Sequence, residues 1–189
     1  AAADAAITGR GVMSSLHCRD AAGAITALRN RGVSNHQIAA SLRVVVAQRL
    51  VRQLNPEARV EIVPDEADLH WLKAMGKPAP SVCYATPAHA GRHAVPGEGR
   101  IGVYEVLELT ESDVELILAD ASEREIRTAL QSRQHTALVD DGLAKVETGL
   151  LSLGDLRHAV GVSQVQSTTS IETDTESASA EDDHDRAAA

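Results

Sequence analysis

The sequence predicts an α/β fold, and three observations carry that expectation. Several short segments of helix-forming composition are each opened by a capping residue and closed by glycine. Two segments, residues 43–54 and 100–109, are dense in valine and other β-formers. Between them, residues 55–99 hold all six prolines (Pro56, Pro64, Pro78, Pro80, Pro87, Pro96), so a loop-rich excursion separates the two strands.

Taken in order, residues 1–6 read as the end of an alanine-rich helix that stops near Gly9. Residues 11–16 (Gly-Val-Met-Ser-Ser-Leu) are short and apolar enough for a buried strand. Asp20 is placed to cap a helix that begins at Ala21 and closes at Gly32, and Ser34 to cap another reaching about Leu42. The valines of residues 43–54 argue for a strand, although the stretch from Gln48 to Arg52 also fits one face of a helix. Within the excursion one helical piece is expected over residues 65–75. After the second strand, with Ile101, Val103 and Tyr104, helices are expected over residues 112–120, 122–133, 138–147 and 152–160. The third-last of these opens with a Ser122-x-x-Glu125 capping box, and Gly149 and Gly161 act as stops. Residues 163–189 are rich in Ser, Thr, Asp, Glu and Ala; they bury too little apolar surface to offset ordering entropy and are expected to be disordered. There is no internal repeat.

Charge is distributed unevenly along the 189 residues, whose net value is −9. Residues 1–54 carry +5, from seven arginines (Arg10, Arg19, Arg29, Arg31, Arg43, Arg49, Arg52) against Asp4 and Asp20. Residues 55–162 carry −8 and residues 163–189 carry −6. With no Phe, and Trp71, Tyr84 and Tyr104 as the aromatics, platforms for stacking single-stranded nucleic acid are excluded. No apolar run approaches the roughly 20 residues that span a bilayer, so direct membrane insertion is not expected. Cys18 and Cys83 are too few for a disulfide framework, which suits a reducing compartment. The chain starts at Ala1 in a helical stretch and reads as a piece of something longer.

The segment Ser14-Ser15-Leu16-His17-Cys18-Arg19-Asp20 places a histidine at a strand end just before a helix, where α/β folds position ligand contacts. His17 can donate to a phosphate or orient a water there, or it can simply pack, with Asp20 serving as a cap. Cys18, between His17 and Arg19, is either a thiol of lowered pKa or an ordinary buried or exposed one. Cys83, His89 and His93 form a weak zinc-ligand set, because Pro87 and Gly91 interrupt the helix that would align the two histidines. Arginine without lysine over residues 43–52 suits bidentate pairing with carboxylates at a subunit contact better than nucleic acid. No Gly-x-x-x-x-Gly-Lys-Ser/Thr is present, so this chain alone has no Walker A loop.

Four segments, in order, resemble the secretion ATPases of type II secretion and type IV pilus assembly. Residues 5–21 (Ala-Ala-Ile-Thr-Gly-Arg-Gly-Val-Met-Ser-Ser-Leu-His-Cys-Arg-Asp-Ala) are similar to the family's A-x-T-G-H-x-V-x-S-T-L-H-T-N-D-A histidine box. Residues 45–54 are similar to the stretch that in the family runs directly into a cysteine. Residues 99–105 match G-R-I-G-I-Y-E, and residues 141–150 match the family's C-terminal helical pattern.

The resemblance implies the C-terminal part of a hexameric, RecA-like P-loop ATPase whose Walker A, acidic box and Walker B lie upstream. It divides the chain into a core portion with the histidine box (residues 1–54), a loop-rich insertion (55–99), a last strand with a helical subdomain (100–162) and an acidic tail (163–189). It implies His17 as the catalytic residue that polarises the terminal phosphate. ATP and Mg²⁺ are implied for the intact family member, with neither expected to bind tightly to this chain alone. Ring self-association and inner-membrane platform proteins are the implied partners, at a cytoplasmic location peripheral to the inner membrane. The family's tetracysteine zinc site is not expected, since its first pair aligns with Asn55-Pro56-Glu57-Ala58 and its second with Cys83-Tyr84-Ala85-Thr86. Arg10 stands for the histidine of Thr-Gly-His, and Cys18-Arg19-Asp20 for Thr-Asn-Asp. These departures keep a second reading open, a non-catalytic relative that acts as an interaction module on a secretion or pilus complex.

Overall fold

The computed structural model describes residues 2–87 and 99–161 and shows a mixed α/β chain. Helix α1 (Ala2–Ile7) ends ahead of Gly9, which takes φ +89. Helix α2 (Ala21–Asn30) is capped by Asp20, whose carboxylate accepts the Gly23 N–H at 2.8 Å. Helix α3 (Asn35–Ser41) opens with a reciprocal capping box between Ser34 and Gln37. Strand β1 (Val44–Arg52) settles the ambiguity at Gln48 in favour of a strand, since its burial alternates with period two.

β1 pairs antiparallel with β4 (Arg100–Glu108), from Val44 opposite Glu108 to Arg52 opposite Arg100. One face of this ribbon carries Val45, Ala47 and Val51 beside Val103 and Leu107, and the helices cover it. The other face carries Val44, Val46 and Leu50 beside Tyr104 and Val106, all exposed. The excursion between the strands holds the expected helix, α4 (Glu66–Ala74), which Asp65 caps. It also holds a small ladder that the prolines obscured, β2 (Val60–Ile62) antiparallel to β3 (Cys83–Ala85).

The C-terminal helices follow the expected order: α5 (Glu111–Leu118), α6 (Glu123–Ser132), α7 (Leu138–Glu147) and α8 (Leu153–Leu156). The capping box at Ser122 and Glu125 forms as read from sequence. Thr110 caps α5 in the same way through Asp113. The last helix is shorter than expected and passes into a π-helical turn, Arg157–Gly161. α7 and α8 approach closely at Gly142, where a Cβ would lie 2.2 Å from Leu156 Cδ1.

One expected strand is absent. Residues 11–16 run without strand pairing, with Val12 and Met13 exposed. A strand is defined by its ladder, and no neighbour among the described residues offers one to this segment. The disorder expected over residues 163–189 lies outside the described residues.

Two hydrophobic clusters form, and the ribbon belongs to both. Val51, Val103, Trp71, Leu138, Leu153 and their neighbours make one, around α4, α7 and α8. Val45, Leu107, Ile25, Ile38, Ile117 and Ile126 make the other, with α2, α3, α5 and α6. Between them, on the covered face of the ribbon, the apolar alternation is interrupted by Arg49 and Glu105. That polar seam positions the candidate site.

Candidate functional site

The segment leading into α2 is fastened from two sides. Arg127, on α6, places Nη2 2.7 Å from Asp20 Oδ2 and 2.7 Å from Glu123 Oε1. Arg49, on β1, donates from Nη2 to the Arg19 carbonyl at 2.5 Å and from Nη1 to the Gln48 carbonyl at 2.9 Å. Capping and these charge-assisted bonds fix the backbone at residues 19 and 20. His17, two residues earlier, is exposed and makes no hydrogen bond among the described residues.

Cys18 is half-buried, and its thiol is pushed up from the usual range, first by burial and then by the Asp20 carboxylate. Arg49 and Arg31 act in the opposite direction and do not win. The lowered-pKa alternative for Cys18 is therefore corrected: desolvation outweighs two nearby guanidinium groups.

At the centre of the seam, Glu105 is 5% exposed. Its Oε1 lies 3.2 Å from His135 Nε2, in the turn between α6 and α7. Burial raises the Glu105 pKa, and Asp20 adds to the rise. His135 and a hydrogen bond from the Ala21 backbone N–H pull it the other way. The pair opens onto a cleft of ≈ 470 Å³ that Arg19, Asp20, Arg49, Lys77, Arg127 and Val160 also line. Lys77 is paired with Asp140 at 2.5 Å on its rim.

Sequence reading singled out His17 and passed over Glu105 and His135. A signal for Glu105 was present, because period-two alternation puts it on the same face as Val103 and Leu107. An acid at an inward strand position demands a buried partner. Nothing local marked His135 as that partner. The structure brings Arg19, Asp20 and Arg49 to one cleft and leaves His17 at the surface beside it.

Two arginines of residues 43–52 bond backbone carbonyls of their own chain, which leaves the pairing expected at a subunit contact untested. Arg43 donates to the Ala40 carbonyl, and Arg49 to those of Gln48 and Arg19. Cys83 is buried in β3, and burial raises its pKa. His89 and His93, the other members of the weak zinc-ligand set, lie outside the described residues. Among the described residues, no group of three or more His, Cys, Asp or Glu side chains is arranged to hold a metal ion. Among the same residues, no helix is long and apolar enough to cross a membrane.

The family model for "Type II/IV secretion system protein" matches residues 1–166. The chain belongs to this family. It is 33% identical to the type IV pilus assembly ATPase PilB of Acinetobacter baylyi over 158 residues, which cover 82% of this chain and 27% of that protein. It is 35% identical to the type II secretion system ATPase E of Vibrio cholerae over 157 residues, or 82% of this chain and 30% of that protein. A PilB of Thermus thermophilus is 32% identical over 156 residues, 82% of this chain and 18% of the relative. This type II/IV secretion family member thus spans less than a third of the length of these relatives. The cleft, His17 and the seam all fall inside the stretch that the family model matches.

Proposed function

We propose that this chain is the C-terminal portion of a hexameric, RecA-like ATPase that powers type II secretion or type IV pilus assembly. In this reading residues 1–54 belong to the ATPase core, 55–99 to an insertion, 100–162 to the last strand and helical subdomain, and 163–189 to an acidic tail. The motifs that cradle the phosphates and hold Mg²⁺ belong to the upstream part of the motor. The described residues offer no cluster that fits a metal, so no step here runs through one.

The observation that carries the reading is the junction before α2. Asp20 caps the helix and Arg49 anchors the Arg19 carbonyl, so the chain is held two residues after His17 while its imidazole stays exposed. An imidazole so presented, two residues before the Arg19 carbonyl that Arg49 holds, suits interaction with a terminal phosphate. Phosphoryl transfer needs positioned cations and hydrogen-bond donors more than covalent chemistry. ATP is the nucleotide implied, with the ring working in the cytoplasm against inner-membrane platform proteins.

The test is ATP turnover by the full-length protein and its His17→Ala variant. A drop of about 10²-fold or more in kcat fits a transition-state contact, whereas unchanged turnover contradicts the role. The 189-residue chain alone is expected to hydrolyse no ATP and to purify without stoichiometric zinc. A second reading, a non-catalytic module docking on a secretion or pilus complex, draws on Arg10 and Arg19, which replace family-type residues in the histidine box. The upstream reading frame separates the two: a Gly-x-x-x-x-Gly-Lys-Ser/Thr there supports the motor, and a start codon close to Ala1 supports the module.

A further inference from the structure

We propose that β1 receives a further β-strand along its outer edge, supplied by the part of its own protein that lies outside these 189 residues. The Leu109 N–H donates to the Arg43 carbonyl at 3.0 Å, and the Gln53 N–H to the Gly99 carbonyl at 3.3 Å. Between those two bonds the register is unbroken, so the odd-numbered residues of β1 spend their backbone groups on β4. Val44, Val46, Gln48, Leu50 and Arg52 therefore turn N–H and C=O away from the ribbon. Among the described residues only one of these groups has a partner, the Gln48 carbonyl, which Arg49 Nη1 reaches at 2.9 Å.

The two edges of the ribbon differ. On β4, Asp141 Oδ2 accepts the Tyr104 N–H and Lys145 Nζ donates to the Gly102 carbonyl, so α7 closes that side. Open edges invite pairing, and folds block the edges that are to stay unpaired. The residues that leave β1 open also carry apolar side chains on the outer face. Val46 is 59% exposed and Leu50 56%, beside Val106 at 57%. The solvated face of an antiparallel sheet is ordinarily polar, whereas an exposed apolar face marks a contact. Residues 11–16 repeat the pattern: they have strand composition, no ladder among the described residues, and Val12 and Met13 exposed.

The chain covers 27% and 30% of the PilB of Acinetobacter baylyi and the ATPase E of Vibrio cholerae, so most of a protein of that size lies outside it. β1 falls within the stretch that the family model matches. A body of that size can supply a strand for the edge and a layer for the apolar face together. A second copy fits less well. Two β1 strands related by a twofold axis at Gln48 set Arg49 diagonally across from its equivalent, and both outer faces stay uncovered. The incoming strand is extended and carries apolar side chains at alternate positions, beside Val46 and Leu50. It places a carboxylate next to Arg52, which faces Arg100 and has no acidic partner among the described residues. The proposal rests on the reading of this chain as a portion of a longer motor, and not on His17 or on turnover.

Residue-resolved amide hydrogen exchange compares the 189-residue chain with the full-length protein. In the chain alone, the amides of Val44, Val46, Gln48, Leu50 and Arg52 should exchange freely, while those of Val45, Ala47 and Val51 are protected by β4. In the full-length protein the outward amides should slow by at least about tenfold. Equal rates in the two proteins overturn the added strand and leave the motor reading standing. Protection already present in the 189-residue chain also overturns it, whether it fades on dilution, which assigns the edge to a second copy, or persists, which closes the edge within the chain. So does protection of the full-length protein that is lost on dilution. A reading frame that starts close to Ala1 removes the longer motor, and this proposal with it, before any exchange is measured. Slowed exchange together with unchanged turnover by His17→Ala supports the strand and contradicts the role of the histidine alone.

Discussion

Glu105 Oε1 and His135 Nε2 lie 3.2 Å apart in the polar seam that divides the two hydrophobic cores. The pair joins the middle of β4 to the turn between α6 and α7, and the Ala21 N–H joins α2 to the same carboxylate. Three elements thus meet on one buried acid.

That acid gives stability a definite dependence on pH. Burial holds the Glu105 pKa above its ordinary 4.5, so the folded state binds its proton more tightly than the unfolded state does. Its contribution is fully present below the unfolded value and is lost as pH rises through the folded one. Glu105→Gln removes this titration. Urea midpoints of the wild type should therefore fall relative to those of the variant as pH rises above about 4.5. Parallel curves across that window would contradict the assignment.

Asp20 serves two partners, and two substitutions separate them. Asp20→Ala removes the α2 cap and the Arg127 pair together, while Asp20→Asn keeps an oxygen for the Gly23 N–H and loses only the charge. The cap is worth about 1 kcal/mol, and the partly buried ion pair about 1 kcal/mol. Chemical denaturation should rank wild type above Asn and Asn above Ala. Equal losses for the two variants would mean that the carboxylate does not cap in solution.

How much of this was legible follows from what each feature depends on. Helix starts are legible because caps are local: Asp20, Ser34 and Ser122 sit where their side chains bond the backbone N–H three residues ahead. β4 is legible from its β-formers and β1 from valine density, although a helix also fits Gln48 to Arg52 until the ladder is seen. Residues 11–16 were misread because their composition favours a strand but a ladder needs a partner, which composition does not supply. β2 and β3 escaped because three-residue strands between prolines carry too short a pattern to register. In the site, His17 was marked by its motif and Asp20 by its capping position. Glu105 and His135 are separated by thirty residues, and their meeting is set by how α6 and α7 fold back on the ribbon.

The ribbon carries a repulsion that a single substitution should relieve. Arg52 and Arg100 face each other across β1 and β4, both exposed, and neither has a carboxylate partner among the described residues. Like charges directly opposite destabilise a pair of strands, and opposite charges stabilise it by roughly 0.2–1 kcal/mol. Arg100→Glu should raise the thermal midpoint at low salt, and added salt should shrink the gain. A gain that ignores salt would point to strand propensity instead of charge.

The outer edge of β4 is closed by α7. Asp141 Oδ2 accepts the Tyr104 N–H at 2.8 Å, and Lys145 Nζ donates to the Gly102 carbonyl at 2.9 Å. Lys145 and Asp141 also pair with each other. Two backbone groups that a further strand would otherwise use are thereby occupied by side chains one helical turn apart. An uncovered edge is a template for intermolecular pairing. Asp141→Ala frees the Tyr104 N–H and leaves Lys145 without its carboxylate. It should cost about 1–2 kcal/mol in denaturation and speed aggregation measured by light scattering near the thermal midpoint. Asp141→Asn keeps an acceptor for that N–H and should aggregate more slowly than the alanine variant. If the two aggregate equally fast, loss of charge, and not the opened edge, is the cause.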